Sequence, residues 1–209
     1  MTATPGELAG LAQLTHELAT IVGVPGVMVR VVDPDGPAAA SIDHGVPTVE
    51  LGAELVGTPA MEAVLAHEIA HLVLPHGESR VPRLLAGLSN GLFVAIVATA
   101  ALMLVGLLDW RAVLMDWRAV LLVFASLALA VGADLLAAYL LRRCEYEADA
   151  HAVLLLDASG RDGRAAMRAA LELEQARETP WEARVWWLLS DHPPAEARLR
   201  RLQPVEDES

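Results

Sequence analysis

His67, Glu68 and His71 carry the strongest chemical signal in the chain: two imidazoles four residues apart with a carboxylate beside the first, in the run His67-Glu68-Ile69-Ala70-His71. On an α-helix, positions i and i+4 lie one turn apart on the same face, so both rings can reach one tetrahedral zinc ion at about 2.0–2.1 Å. Glu68 lies close to that metal. A carboxylate there takes a proton from a zinc-activated water, whose pKa falls toward ~7, and hands it to a departing amine. The H-E-x-x-H arrangement therefore points to metal-assisted hydrolysis of peptide bonds.

Such a centre needs a third protein ligand and a partner for the outer imidazole nitrogen. Glu145 and Asp149 stand at i and i+4 on one helix face. Glu145 completes a His2Glu ligand set, and Asp149 can accept the free ring N–H of a ligand histidine and so fix its tautomer. His192, between Asp191 and Pro193, suits either of two roles, a donor to a developing oxyanion or a brace for its own loop. His16, His44 and His151 read as surface or packing histidines.

These side chains need elements to position them. Thr58-Pro59 reads as an N-cap with proline at the first helical position, and Pro75 as the stop, which puts the two histidines on a helix by independent signals. Met61, Val64, Leu65, Ile69, Leu72 and Val73 recur at helical spacing, burying one face and leaving the histidine face toward a cleft. Thr4-Pro5-Gly6-Glu7 is a capping box. It opens an earlier helix with an apolar stripe of Leu8, Leu11, Leu14, Leu18 and Val22, ending near Gly23. Val27 to Val32 is a β-branched run cut by Asp33-Pro34-Asp35-Gly36. Ala38 to Ile42 and Thr48 to Leu51 are shorter extended segments separated by His44-Gly45-Val46-Pro47. A small sheet packed on the zinc helix follows, and its edge can take an extended peptide by strand addition, gripping backbone without reading sequence.

Hydrophobic residues make up 55% of the chain and aromatics only 4%, too apolar for an ordinary soluble protein of 209 residues. No charge falls between Leu84 and Leu108, and only Asp134 between Ala119 and Leu141. Each run exceeds the ~20 residues that cross a hydrocarbon core, so two transmembrane helices are expected. The short link holds a duplication, Asp109-Trp110-Arg111-Ala112-Val113-Leu114-Met115 and Asp116-Trp117-Arg118-Ala119-Val120-Leu121-Leu122, whose tryptophans suit a membrane interface. A link this short makes a hairpin. Arg80, Arg83, Arg142 and Arg143 at its open end outnumber Arg111 and Arg118 in the link, which places the catalytic part in the cytosol. Asp134 lies at the depth of Ser89 and Asn90, and a carboxylate facing lipid is costly, so a hydrogen bond from one of the two is expected. The net charge of −12 excludes a nucleic-acid binder, the single Cys144 excludes an internal disulfide, and residues 1 to 25 show no signal peptide.

Three blocks in order resemble the membrane zinc metalloprotease family of HtpX-type heat-shock proteases and CAAX prenyl proteases. They are Leu65 to His71 with His76 five further on, Arg143-Cys144-Glu145-Tyr146-Glu147-Ala148-Asp149, and Asp191-His192-Pro193-Pro194 followed by Arg198. The resemblance spans roughly residues 25 to 202 and includes the two hydrophobic runs. It implies His67, His71 and Glu145 as zinc ligands, Glu68 as general base, Asp149 behind the ligands, and His192 and Arg198 near the cleft. Two departures stand out. The family's Asn-Ala-Phe-Ala segment is replaced by Pro37-Ala38-Ala39-Ala40, and a further pair of membrane helices typical of HtpX-type proteins is absent.

After Ala158 come a loop at Ser159 to Gly163 and a helix from Arg164 to Arg177 with Met167, Leu171 and Leu173 on its packing face. A second capping box, Thr179-Pro180-Trp181-Glu182, leads a helix with Trp186 and Trp187. The expected fold is α+β, mostly α: a zincin-like (gluzincin) core with a small sheet and an inserted two-helix transmembrane hairpin. Residues 1–83 carry the H-E-x-x-H helix, 84–141 the hairpin, and 142–209 the third zinc ligand. The expected function is a zinc endopeptidase, one Zn2+ per chain, in the cell (inner) membrane with its site facing the cytosol. It would cut misfolded or membrane-associated polypeptides, with the lipid bilayer and an oligomer or membrane partner as further contacts. The alternative is a catalytically weak zinc-binding scaffold that holds clients. A prenyl-protein protease is disfavoured, because two membrane helices are too few for a large chamber.

Overall fold

In the computed structural model, which describes residues 3–33, 38–74, 81–104, 109, 111, 116–178 and 192–203, Thr4 and Glu7 start the first helix as their spacing predicts. The Glu7 N–H donates to the Thr4 hydroxyl at 3.3 Å, and the Thr4 N–H returns a bond to the Glu7 carboxylate at 2.7 Å. Helix α1 runs Pro5–Ile21 and buries Leu11, Leu14 and Leu18; Leu8 is 41% exposed, so the working stripe begins at Leu11.

Three strands follow, β1 (Met28–Val32), β2 (Ala39–Asp43) and β3 (Val46–Gly52), in the order β1-β3-β2. β3 is central, parallel to β1 (Met28 opposite Thr48) and antiparallel to β2 (Asp43 opposite Val46). The β2–β3 link is only two residues. His44 at φ 48° and Gly45 at φ 84° both take positive φ, the type I′ geometry that matches strand twist. Val46 and Pro47, expected in the link, are therefore strand. Pro47 is tolerated because β1 pairing starts only at Thr48.

Helix α2 spans Ala60–Val73, and Leu65 and Ile69 are fully buried against α1, β3 and the later helices. Its start differs from expectation. The Thr58 hydroxyl donates to the Leu55 carbonyl at 2.7 Å, while Pro59, at φ −60° and ψ −24°, holds the cap position with no side-chain bond. A threonine hydroxyl with a carbonyl within reach closes a turn in preference to capping. Nor does the histidine face look onto an open cleft along its length. His67 and Glu68 are 7% and 8% exposed, and only His71 is half-open.

Helix α3 spans Val81–Leu104, α4 Trp117–Ala158, α5 Gly163–Arg177 and α6 Ala195–Leu202. One compact unit holds α1, the sheet, α2, α5, α6 and the part of α4 from Arg143 on. The other holds α3 and α4 up to Arg142, with His192. Both α3 and α4 are long and apolar enough to cross a membrane, and only 6% and 11% of their most apolar stretches is buried in protein, unlike a core helix. Within this second unit the Ser89 hydroxyl donates to Asp134 Oδ2 at 2.7 Å, the bond between α3 and α4 expected from matched depth. Ala130, Ala133 and Ala137 are buried on the same helix.

Asp162 caps α5, its carboxylate accepting the Ala165 N–H at 2.9 Å, and Gly163 follows where there is no space for a side chain. A Cβ at Gly163 would fall on the Val153 carbonyl. Gly163→Ala is therefore expected to cost about 1–3 kcal/mol by overpacking. A thermal melt in detergent equal to wild type would refute it.

Several expectations lie outside the described residues: the Pro34-Asp35-Gly36 turn, Pro37, Pro75, His76, Arg80, Trp110 and most of the duplication, the Thr179 capping box, Trp186, Trp187 and Asp191.

Candidate metal centre

Helix α2 puts His67 and His71 on one face, and α4, continuous through Arg143, brings Glu145 and Asp149 to that face. His67 Nε2 and His71 Nε2 are 3.1 Å apart, and the two Glu145 oxygens lie 3.3 Å and 3.4 Å from them. The rings meet edge to face, 85° between planes. Three donor atoms thus converge. One donor atom from each of the three residues lies within 4.8 Å of the others, so two imidazoles and one carboxylate stand close enough together to ligate one metal ion. Among the described residues this is the group of histidine and acidic side chains able to hold a metal.

Behind the donors, His67 Nδ1 lies 2.9 Å from Asp149 Oδ1. That contact keeps the proton on Nδ1 and turns the Nε2 lone pair toward the donor group. Asp149 is in turn gripped by Arg198, whose Nε and Nη2 donate to Oδ2 and Oδ1 at 2.9 and 2.6 Å. Burial alone would push the Asp149 carboxyl up, but Arg198 and His67 outweigh it and hold it below its usual range. Arg198, 6% exposed, comes from α6, about fifty residues along the chain.

The sequence-derived residues divide clearly. His67, His71, Glu145, Asp149 and Arg198 form one contiguous group. Glu68 is buried beside His67 and one turn before His71. His192 is exposed and is not one of the three donors. His16 and His44 are exposed, and His151, also exposed, contacts the Glu147 carbonyl at 3.0 Å; none of the three is in the donor group. One member escaped sequence reasoning: Glu174 accepts from Arg198 Nη1 at 3.2 Å, and no local pattern marks a pair set by the α5–α6 packing.

Burial pushes the His67 imidazolium down, but hydrogen bonds to Asp149 and Glu145 reverse this and raise its pKa to about 9. A metal needs the neutral ring. Metal binding at neutral pH must therefore displace a proton, and apparent affinity is expected to rise about tenfold per pH unit below that value. In the metal-free protein the charged ring's contribution to stability is complete below pH 6.5 and is lost as pH rises through about 9. Zinc affinity measured by chelator competition at pH 6, 7 and 8 checks this. A flat profile would refute it.

The model of peptidase family M48 matches residues 46–206, the stretch from β3 through α6 that contains every residue of this centre. No curated protein and no solved structure matches the chain.

Proposed function

Because the chain belongs to peptidase family M48 and so is a metallopeptidase, we propose that it is a membrane-anchored zinc endopeptidase of misfolded or membrane-associated proteins. The observation that carries this reading is the convergence of His67, His71 and Glu145 from two helices, with one donor atom of each within 4.8 Å of the others. Zinc held there, one ion per chain, supplies a Lewis acid that polarises the scissile carbonyl and lowers the pKa of water toward ~7.

The chain's own groups do the rest. Glu68 takes the proton of the attacking water and then delivers it to the leaving amine, one carboxylate serving as base and then acid. Asp149 holds the His67 N–H, and Arg198 keeps Asp149 charged in a buried place. The free edge of β2 holds substrate backbone by strand addition, which suits substrates of no fixed sequence. His192 either donates to the developing oxyanion or braces its loop.

Anchoring rests on the two apolar helices, and a cytosol-facing site in an inner membrane rests on the arginine excess at the hairpin's open end. Domain limits of 1–83, 84–141 and 142–209 follow from the same reading. The replacement of the family's asparagine segment by Pro37-Ala38-Ala39-Ala40, of which Ala39 and Ala40 lie in β2, favours a second reading, a zinc-holding scaffold that binds clients without cutting. Zinc-loaded protein in detergent, given an unfolded model protein, decides between them. Cleavage that stops with chelator and returns with zinc supports the peptidase; bound zinc with no cleavage supports the scaffold.

A further inference from the structure

The guanidinium of Arg198 is buried between two carboxylates. On its inner edge it donates to Asp149 Oδ2 and Oδ1 at 2.9 and 2.6 Å, and on its outer edge Nη1 donates to Glu174 Oε2 at 3.2 Å. Asp149 Oδ1 is shared. It also faces His67 Nδ1 at 2.9 Å, and Arg198 Nη2 lies 3.4 Å from that same nitrogen. Two N–H groups thus compete for one oxygen. Where the guanidinium stands decides how much of Oδ1 is left for the imidazole.

Glu174 bears on that position from the outside. At the residue that closes that helix, the Glu178 carboxylate accepts the Ala195 N–H at 2.8 Å and so fixes the start of α6. Two carboxylates at the end of α5 therefore set the placement of α6 and of Arg198 with it. Without Glu174, the nearest carboxylate to draw the guanidinium is Asp149, and the imidazole loses its share of Oδ1.

We propose that Glu174 is a positioning residue of the metal centre, holding the outer edge of Arg198 so that Asp149 remains the hydrogen-bond partner of His67. The proposal rests on the reading of His67, His71 and Glu145 as metal ligands. Its side chain is 43% exposed, and an ion pair open to water adds little to stability. Removing it should therefore leave folding intact while changing metal affinity. Partners behind metal ligands typically change affinity 10–100-fold, and one step further out the expected effect is about tenfold or less.

The test uses the full chain in detergent, with zinc affinity from chelator competition and thermal melting of the zinc-free protein. Glu174→Gln is expected to weaken zinc about three- to tenfold with melting unchanged, and to have no further effect in an Arg198→Lys background. If Arg198→Lys does not fold, Asp149→Asn serves as that background. Unchanged affinity, or the same loss in both backgrounds, overturns the proposal. His71→Ala separates this from failure of the underlying reading: if that variant still binds zinc as wild type does, the ligand assignment itself is wrong and the proposal falls with it.

Discussion

Glu68→Gln is expected to lower peptide hydrolysis by about 10²–10⁴-fold, the usual contribution of a positioned general base, with zinc still bound. The amide has the shape of the carboxylate and keeps an acceptor oxygen, but it cannot hold the proton taken from water. Glu68 is 8% exposed, so its charge is already costly to bury, and neutralising it should not unfold the protein. Loss of cutting with equal zinc content and equal melting would assign the proton transfer to this residue. A variant that cuts as wild type would remove Glu68 from the mechanism and return attention to the scaffold reading.

Arg198→Met should be the most damaging substitution for stability. It strips both guanidinium bonds from Asp149, whose side chain is 5% exposed, and leaves a buried carboxylate with His67 as its named partner. Breaking a buried pair on one side costs about 3–5 kcal/mol. The double variant Asp149→Asn, Arg198→Met should be less unstable than the sum of the single ones, because the orphaned charge is gone. The pH dependence follows the same logic. Asp149 contributes stability above its ordinary pKa of 3.8 and loses it as pH falls through its lowered folded value, a loss that Arg198→Met should bring to higher pH. Melting curves of the four proteins at neutral and mildly acidic pH check both points, and strict additivity would mean that the pair is not coupled.

The local elements of this protein were written in short-range patterns. The Thr4–Glu7 capping box, the two histidines of α2 and the Glu145–Asp149 pair all depend on neighbours three or four residues away, which helix geometry places for any sequence that forms a helix. The apolar runs of α3 and α4 were equally plain, and matched depth narrowed the partner of Asp134 to two residues. Only packing chose Ser89. Local chemistry could also mislead, since Thr58 has the type of a cap but found the Leu55 carbonyl first.

Long-range partners that no motif marks, such as Glu174 for Arg198, were settled by tertiary structure alone. Sequence motif and spacing determined which groups can bind a metal and move a proton. The parallel pairing of β1 with β3 is a tertiary choice of the sheet, and the Arg198 fork between Asp149 and Glu174 forms only where α4, α5 and α6 meet. The physical reason is range: a turn or a helix face is set by bonds within a few residues, whereas a buried charge is satisfied by whichever opposite charge the folded chain carries to it.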